Sequence, residues 1–102
     1  MTYKVIDNKV EADIAKLKSD GLYDKYETIK IALSQNPYNP PGLSKKHFGK
    51  LSNSKVETWH VDINQKRRIF YRIYKGEVII EEITYSGIVD IIQAYEHDLR
   101  RK

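Results

Sequence analysis

Polar side chains of a kind that can handle phosphate chemistry alternate with apolar residues between positions 59 and 73. His60 and Asp62 stand in the first run, and Arg68 and Arg72 stand in the second. Alternation with a period of two predicts two half-buried strands, each with its polar side chains on one face. A histidine can carry a proton near neutral pH, and an arginine can hold a phosphate through paired donors. The polar face is therefore either solvated surface or a site for an anionic ligand.

A second basic segment precedes these strands. Positions 37 to 56 contain no acidic residue. Their basic side chains are Lys45, Lys46, Lys50 and Lys55, and His47 stands among them. An isolated charge run is usually a solvated loop. The alternative is an electrostatic approach surface for phosphates, to which lysine supplies mobile point charges.

The composition is that of one ordinary globular domain, expected to span residues 1–102. The chain has a net charge of +4 and a pI near 9.2, which favours an anionic partner, either nucleic acid or an acidic protein. Because it has no cysteine, disulfides and thiolate metal sites are excluded, and a reducing compartment such as the cytoplasm fits. No apolar run approaches the roughly 18 residues of a membrane span, so no membrane association is expected.

Two amphipathic helices are predicted near the N-terminus, after a short strand that includes Tyr3. Apolar side chains recur three or four residues apart from Val10 to Leu17, and again from Leu22 to Leu33. Because only Asp20 and Gly21 separate the two patterns, we expect a tight antiparallel helical hairpin.

The remaining elements are predicted from alternation and turn residues. Residues 64–67 read as the loop of a β-hairpin, and Gly76 predicts a tight turn before a strand over residues 78–85. A final helix is expected after Ser86. Its apolar stripe would comprise Ile88, Ile91, Ile92, Tyr95 and Leu99. The predicted fold class is α+β: a small, mainly antiparallel β-sheet packed against an N-terminal helical hairpin, with a C-terminal helix.

One stretch resembles a known family of bacterial toxins. Residues 59–71 read W-H-V-D-I-N-Q-K-R-R-I-F-Y. They resemble, without a gap, the W-S-R-R-I-T-x-E-H-R-L-V-Y stretch of the YoeB/Txe branch of the RelE/ParE superfamily. Lys50 and Leu51 resemble the K-L that precedes the tryptophan in that branch. The predicted order of strand, helical hairpin and antiparallel strands is also similar to that of the superfamily.

The resemblance implies a toxin of a type II toxin–antitoxin module that acts in the cytoplasm. Its YoeB-like and RelE-like members cut mRNA in the ribosomal A site without a metal or other cofactor. Basic residues hold the phosphate, and an acid–base group moves the proton of the 2′-hydroxyl. The implied partners are an acidic cognate antitoxin, the ribosome and mRNA.

Candidate site residues follow from the resemblance and from the two basic segments. Arg68 falls on the arginine of the family stretch and is the first candidate for holding phosphate. The candidates for catalysis are Arg68, Tyr85, His60 and His47. The candidates for binding RNA phosphates are Lys45, Lys46, Lys50, Arg67 and Arg72. In the alternative interpretation, Arg68 is only a sheet arginine paired with Asp62 or Glu82 across the strands.

The chain also departs from the family stretch, which keeps other functions open. The histidine–tyrosine pair at the end of YoeB-like chains falls on Ser86 and Gly87, and a basic pair falls on Val61 and Asp62. ParE-like members resemble inhibitors of DNA gyrase and cut no RNA. The alternatives are therefore a non-enzymatic gyrase inhibitor, or an attenuated member that mainly binds its antitoxin.

Overall fold

Five strands form one mixed sheet in the computed structural model, which describes residues 2–52 and 56–100. The strands are β1 (Tyr3–Ile6), β2 (Phe48–Lys50), β3 (Trp59–Asp62), β4 (Arg68–Ile80) and β5 (Ile83–Gln93). Their spatial order is β1-β5-β4-β3-β2. β1 pairs parallel with β5, and the other three pairings are antiparallel, so the prediction of a mainly antiparallel sheet is confirmed.

The predicted helical hairpin is also confirmed. α1 (Glu11–Ser19) and α2 (Tyr23–Gln35) are separated by three residues, of which Gly21 has a φ of 74°. A positive φ at this helix end is one that glycine adopts without steric cost. Both helices place their apolar stripes against one face of the sheet. The buried core contains Leu17, Tyr26, Ile29, Leu33, Val61, Ile69, Tyr71, Val89 and Ile91.

The predicted C-terminal helix is wrong. Residues 83–93 form strand β5, and the parallel partner β1 pairs with it from Gly87 to Asp90. The helical spacing of Ile88, Ile91 and Ile92 coincides with an equally good strand pattern, in which Val89 and Ile91 point to the core. Runs rich in isoleucine and valine favour strands because branched side chains pack well on a pleated surface.

The predicted turn at Gly76 is wrong as well. β4 continues through this residue, and its register against β5 shifts by a bulge between Lys75 and Val78. The chain reverses instead at Glu81 and Glu82, whose φ values are 49° and 69°. Left-handed backbone at two glutamates carries no sequence signal, whereas Gly76 is the residue that a turn normally prefers.

The basic segment is more regular than expected. Lys45–His47 form a short 3₁₀ turn that leads into β2, and β2 pairs antiparallel with β3. Lys55 lies outside the described residues. Among residues 2–52 and 56–100, no helix has the length and apolar character needed to cross a membrane.

The predicted hairpin loop between β3 and β4 is present. The Asn64 side chain accepts hydrogen bonds from the backbone N–H groups of Lys66 and Arg67, each at 2.8 Å. Ile63 N–H donates to the Arg67 carbonyl across the loop over 2.9 Å. This closure fixes the register that brings the polar residues of β3 and β4 side by side.

Candidate functional site

Cross-strand pairing between β3 and β4 builds the centre of the site. His60 lies opposite Phe70, and Asp62 lies opposite Arg68. Arg68 Nε donates a hydrogen bond of 2.7 Å to Asp62 Oδ1. Both side chains are less than one-fifth exposed, so solvent screens this ion pair less than it screens a surface pair. The ion pair that the alternative interpretation proposes for Arg68 and Asp62 is therefore present.

Asp62 also gathers both histidines that precede Arg68 in the chain. His60 Nδ1 lies 3.7 Å from Asp62 Oδ1, and His47 Nδ1 lies 3.7 Å from Asp62 Oδ2. Only 18% of the His60 side chain is exposed, against 54% of that of His47. One carboxylate therefore has an arginine and two histidines around it, one histidine sheltered and the other open to solvent.

The environment of His60 favours its neutral form. Burial lowers the pKa of this imidazole below its ordinary value of 6.5, and the Arg68 guanidinium lowers it further, although Asp62 acts in the opposite direction. Its Nδ1 is buried and has no hydrogen-bond partner among the described residues. A neutral imidazole near pH 7 is a proton acceptor, which is what a general base requires.

Gly49 on β2 leaves space for the His60 ring. The two residues are partners across the β2–β3 pairing, and a Cβ at position 49 would lie 3.7 Å from His60 Nε2. That is ordinary van der Waals contact, so no side chain of residue 49 covers this ring nitrogen. The sequence did not indicate Gly49, because this glycine lies on β2, a strand that the sequence analysis did not predict.

The same arrangement of elements occurs in a solved toxin structure. A YoeB/ParE toxin from Agrobacterium tumefaciens superposes with a TM-score of 0.70, covering 93% of this chain and 99% of that one at 16% sequence identity. This chain has the RelE/ParE-type toxin fold. The fold implied by the sequence resemblance is thus confirmed, apart from the C-terminal helix. The sequence matches no protein-family model and no curated protein.

Within this RelE/ParE-type fold, the predicted basic residues differ in whether another side chain of the protein contacts their charged group. Lys45 and Lys46 are exposed beside His47 and take part in none of the ion pairs of the described residues. Lys50 is held by Glu57 at 2.9 Å. Arg67 is 3.5 Å from an oxygen of Asp20 and lies over the Tyr95 ring, 3.8 Å from its centroid. Lys45 and Lys46 are therefore the predicted lysines that an anion could approach without breaking an ion pair of the described residues.

Arg72 and Tyr85 lie further from the Asp62 cluster. Arg72 lies opposite Asp90 in the register of β4 and β5. Its Nε is buried and has no hydrogen-bond partner among the described residues. Tyr85 lines an open groove between β1 and α2, with Lys4 Nζ 5.9 Å from its ring centroid. The structure therefore brings His47, His60 and Arg68 together and leaves Tyr85 at a different surface.

Asp62 lies at the centre of the site, although the sequence did not indicate it as a site residue. Its charge is opposite to that of the family position, and a carboxylate by itself repels a phosphate. In the structure it accepts the hydrogen bond of Arg68 and lies 3.7 Å from a ring nitrogen of both His47 and His60. The available signal was its position opposite Arg68 once the hairpin loop had been placed at residues 64–67. Within the described ranges, no set of three or more His, Cys, Asp or Glu side chains is arranged to hold a metal ion.

Proposed function

We propose that this protein is the toxin of a type II toxin–antitoxin pair and that it cleaves mRNA on the ribosome without a metal. The observation that carries the proposal is the gathering of Arg68, His60 and His47 around the single carboxylate of Asp62. RNA carries its own nucleophile, the 2′-hydroxyl, so the protein needs only positioned cations and proton carriers. This cluster supplies both.

Arg68 would stabilise the phosphate as its charge develops. Asp62 engages Nε, and the described residues give the terminal Nη1 and Nη2 groups no hydrogen bond. An arginine fixed through Nε can present those two groups to two oxygens of one phosphate. Asp62 thus acts as a positioning residue, since it orients the guanidinium and makes no contact with the reacting atoms.

The two histidines suit opposite ends of the reaction. Neutral His60 would take the proton from the 2′-hydroxyl as its oxygen attacks phosphorus. The bond from phosphorus to the 5′-oxygen then breaks, and protonated His47 would give a proton to that leaving oxygen. The products are a 2′,3′-cyclic phosphate and a 5′-hydroxyl end. His47 suits the position of the acid because it is the more exposed of the two histidines and can reach a leaving group on the solvent side of Asp62.

The surrounding charge suits a ribosome-bound substrate and an acidic inhibitor. Lys45 and Lys46 extend the cluster outward, and the chain carries a net charge of +4. Such a surface attracts RNA phosphates by a term that weakens as salt rises. It would also attract the acidic, partly disordered segment of a cognate antitoxin that folds on binding. A toxin with these two partners would act in the cytoplasm.

Cleavage on reconstituted translating ribosomes tests the proposal. The wild-type protein should produce discrete cuts within the open reading frame, and Arg68→Ala should produce none at equal concentration. Naked mRNA should be cut poorly, because the lysines act on a backbone that the ribosome holds. A protein that cuts neither substrate, yet blocks supercoiling by gyrase, would contradict the proposal.

One observation favours the second candidate function, non-enzymatic inhibition of DNA gyrase. The tyrosine of the YoeB-like histidine–tyrosine pair falls on Gly87, where any Cβ would collide with the Tyr74 carbonyl oxygen and lie 2.9 Å from Tyr3 Cε2. No side chain fits there, so this chain cannot use that residue in catalysis. If the Asp62 cluster does not take over the catalytic role of that tyrosine, binding to a target protein is the activity that remains.

A further inference from the structure

The end of the β4–β5 hairpin extends beyond the strands that flank it. β3 pairs with β4 no further along than Tyr71, and β1 pairs with β5 only from Gly87 onward. Within residues 78–85, which we call the arm, the two strands therefore pair only with each other among the described residues. Three residue pairs join them, over a length of about 10 Å. No other described strand covers either long edge of the arm.

One face of the arm is apolar. Val78 lies opposite Tyr85, and Ile80 lies opposite Ile83, so these four side chains share a face. Alternation along β5 places Tyr85 on the same side as Val89, which belongs to the core, so this face continues the side of the sheet that the helices cover. Ile83 is nevertheless 53% exposed, so the helices cover this face only in part.

The apolar face of the arm leads into an open groove beside α2. The groove has a volume of about 410 Å³ and is lined by residues of β1 and α2 together with Tyr85. Ile31 of α2 also lines it and is 61% exposed, although isoleucine is among the residues most often buried. Because Tyr85 belongs to both surfaces, the arm and the groove form one apolar patch of the kind that marks a protein contact.

The arm has opposite charges at its two ends. Glu81 and Glu82 form its tip, where the chain reverses. Lys4 and Lys75 lie at its base: Lys4 Nζ is 5.9 Å from the Tyr85 ring centroid, and Lys75 precedes the arm on β4. None of these four charged side chains takes part in an ion pair of the described residues. Two arms laid antiparallel, with their apolar faces together, would place each acidic tip beside the lysines of the other chain.

We propose that two copies of this protein associate through their arms, related by a twofold axis. Ile83 of each copy would enter the groove of the other and contact Ile31 there, while each acidic tip meets the lysines at the other base. A second copy fits better than an acidic antitoxin, because the glutamates of the tip would repel an acidic segment. The inference goes beyond the proposed function and does not depend on mRNA cleavage.

Sedimentation equilibrium of the full-length protein measures the association. The patch is small for a protein interface, so the protein should be monomeric at micromolar and dimeric at millimolar concentration. Ile83→Asp should raise the dimer dissociation constant about tenfold or more, because it places a charge in the apolar contact of both copies. Ile79→Asp is the matched control and should leave the constant unchanged, since Ile79 lies on the opposite face of the arm. A wild type that stays monomeric, or a dimer that tolerates Ile83→Asp, would overturn the proposal.

Charge exchange tests the antiparallel arrangement of the arms. One variant carries Glu81→Lys and Glu82→Lys, and the other carries Lys4→Glu and Lys75→Glu. Each variant alone should remain monomeric, because like charges then meet at both ends of the interface. Their equimolar mixture should form a mixed dimer, in which both ends regain opposite charges. A mixture that stays monomeric, or variants that dimerise alone as readily as the wild type, would overturn this arrangement.

NMR distinguishes a second copy from another occupant of the arm. The backbone signals of residues 78–85 in ¹⁵N-labelled protein should shift as the wild type is concentrated and stay in place in Ile83→Asp. Shifts of these signals when a synthetic acidic peptide is added to dilute protein, with none on concentration, would assign the arm to a different protein partner and overturn the proposal.

Discussion

Arg68 and Asp62 face each other across β3 and β4, joined by a 2.7 Å hydrogen bond from Nε to Oδ1. The contact holds the guanidinium in one orientation while leaving its terminal nitrogens free of protein partners among the described residues. The Asp62 carboxylate also offsets the positive charge of Arg68 in the protein without substrate. In the proposed mechanism this orientation lets Arg68 present both terminal nitrogens to one phosphate, which a sheet arginine without a partner would not do.

Replacing Arg68 should separate activity from folding. Arg68→Ala should abolish mRNA cleavage and growth inhibition, because the phosphate loses its paired donors. Because Arg68 and Asp62 are both less than one-fifth exposed, the loss leaves a sheltered carboxylate without this partner, and folding should become less favourable by about 1.5–3 kcal/mol. Arg100→Ala is the matched control and should keep wild-type activity, because this arginine pairs with Glu96 and Asp13 and is not a candidate site residue. Equal toxicity of wild type and Arg68→Ala at equal abundance would remove Arg68 from the site.

Proton transfer should depend on the histidines and be independent of Tyr85. His60→Gln and His47→Gln should each lower the cleavage rate on translating ribosomes by about 10²–10⁴-fold, the usual effect of losing a general acid or base. Tyr85→Phe should retain activity, because Tyr85 lines the groove between β1 and α2. Single-turnover rates at matched ribosome occupancy measure this. A large loss in Tyr85→Phe, with both histidine variants active, would reverse the assignment.

The lowered pKa of His60 should appear in the pH dependence of stability. Just below pH 6.5 the imidazole of His60 is protonated in the unfolded chain. In the folded chain it stays neutral to a lower pH, because burial and Arg68 lower its pKa. The unfolding free energy therefore rises with pH through this window. Urea unfolding from about pH 5 to about pH 8 should show a steeper rise for the wild type than for His60→Gln. Parallel curves would show that folding does not perturb this imidazole.

Gly49 gives a way to close the site without changing any titratable group. Gly49→Ala should be tolerated, because its Cβ would make ordinary contact with His60 Nε2 at 3.7 Å. Gly49→Val should place methyl groups against the same nitrogen and suppress cleavage. Valine suits a strand, so the fold should be retained. Thermal unfolding and cleavage rates of the two variants provide the comparison, and full activity in Gly49→Val would show that this face of the ring is not used.

The sequence predicts local elements of this fold better than it predicts long-range pairings. The helical hairpin and the loop at residues 64–67 follow from patterns contained within a few residues. The parallel pairing of β1 with β5 joins residues more than eighty positions apart, such as Tyr3 and Gly87, and no local pattern encodes it. The spacing of Ile88, Ile91 and Ile92 therefore predicts a helix, and no local pattern in the sequence contradicts that prediction.

The site likewise contains residues that local patterns predict and residues whose role depends on long-range strand pairing. Arg68 and His60 could be selected because alternation places them on one face of two adjacent strands. The role of Asp62 required the register of the hairpin, and the approach of His47 required β2, a three-residue strand too short to be recognised by its pattern. Tyr85 was selected for its closeness in sequence to a family position. Its place beside α2 depends on the path of β5 across the sheet.

Mapping of mRNA 5′ ends after induction tests the nuclease proposal most directly. The wild-type protein and the Arg68→Ala variant are expressed to equal levels, RNA is collected within minutes, and primer extension locates new ends. A ribosome-dependent nuclease predicts new, codon-phased 5′-hydroxyl ends inside translated reading frames for the wild type and none for Arg68→Ala. Growth arrest by the wild type without such ends, accompanied by DNA damage, would contradict the nuclease proposal and identify the Asp62 cluster as a structural feature of a gyrase inhibitor.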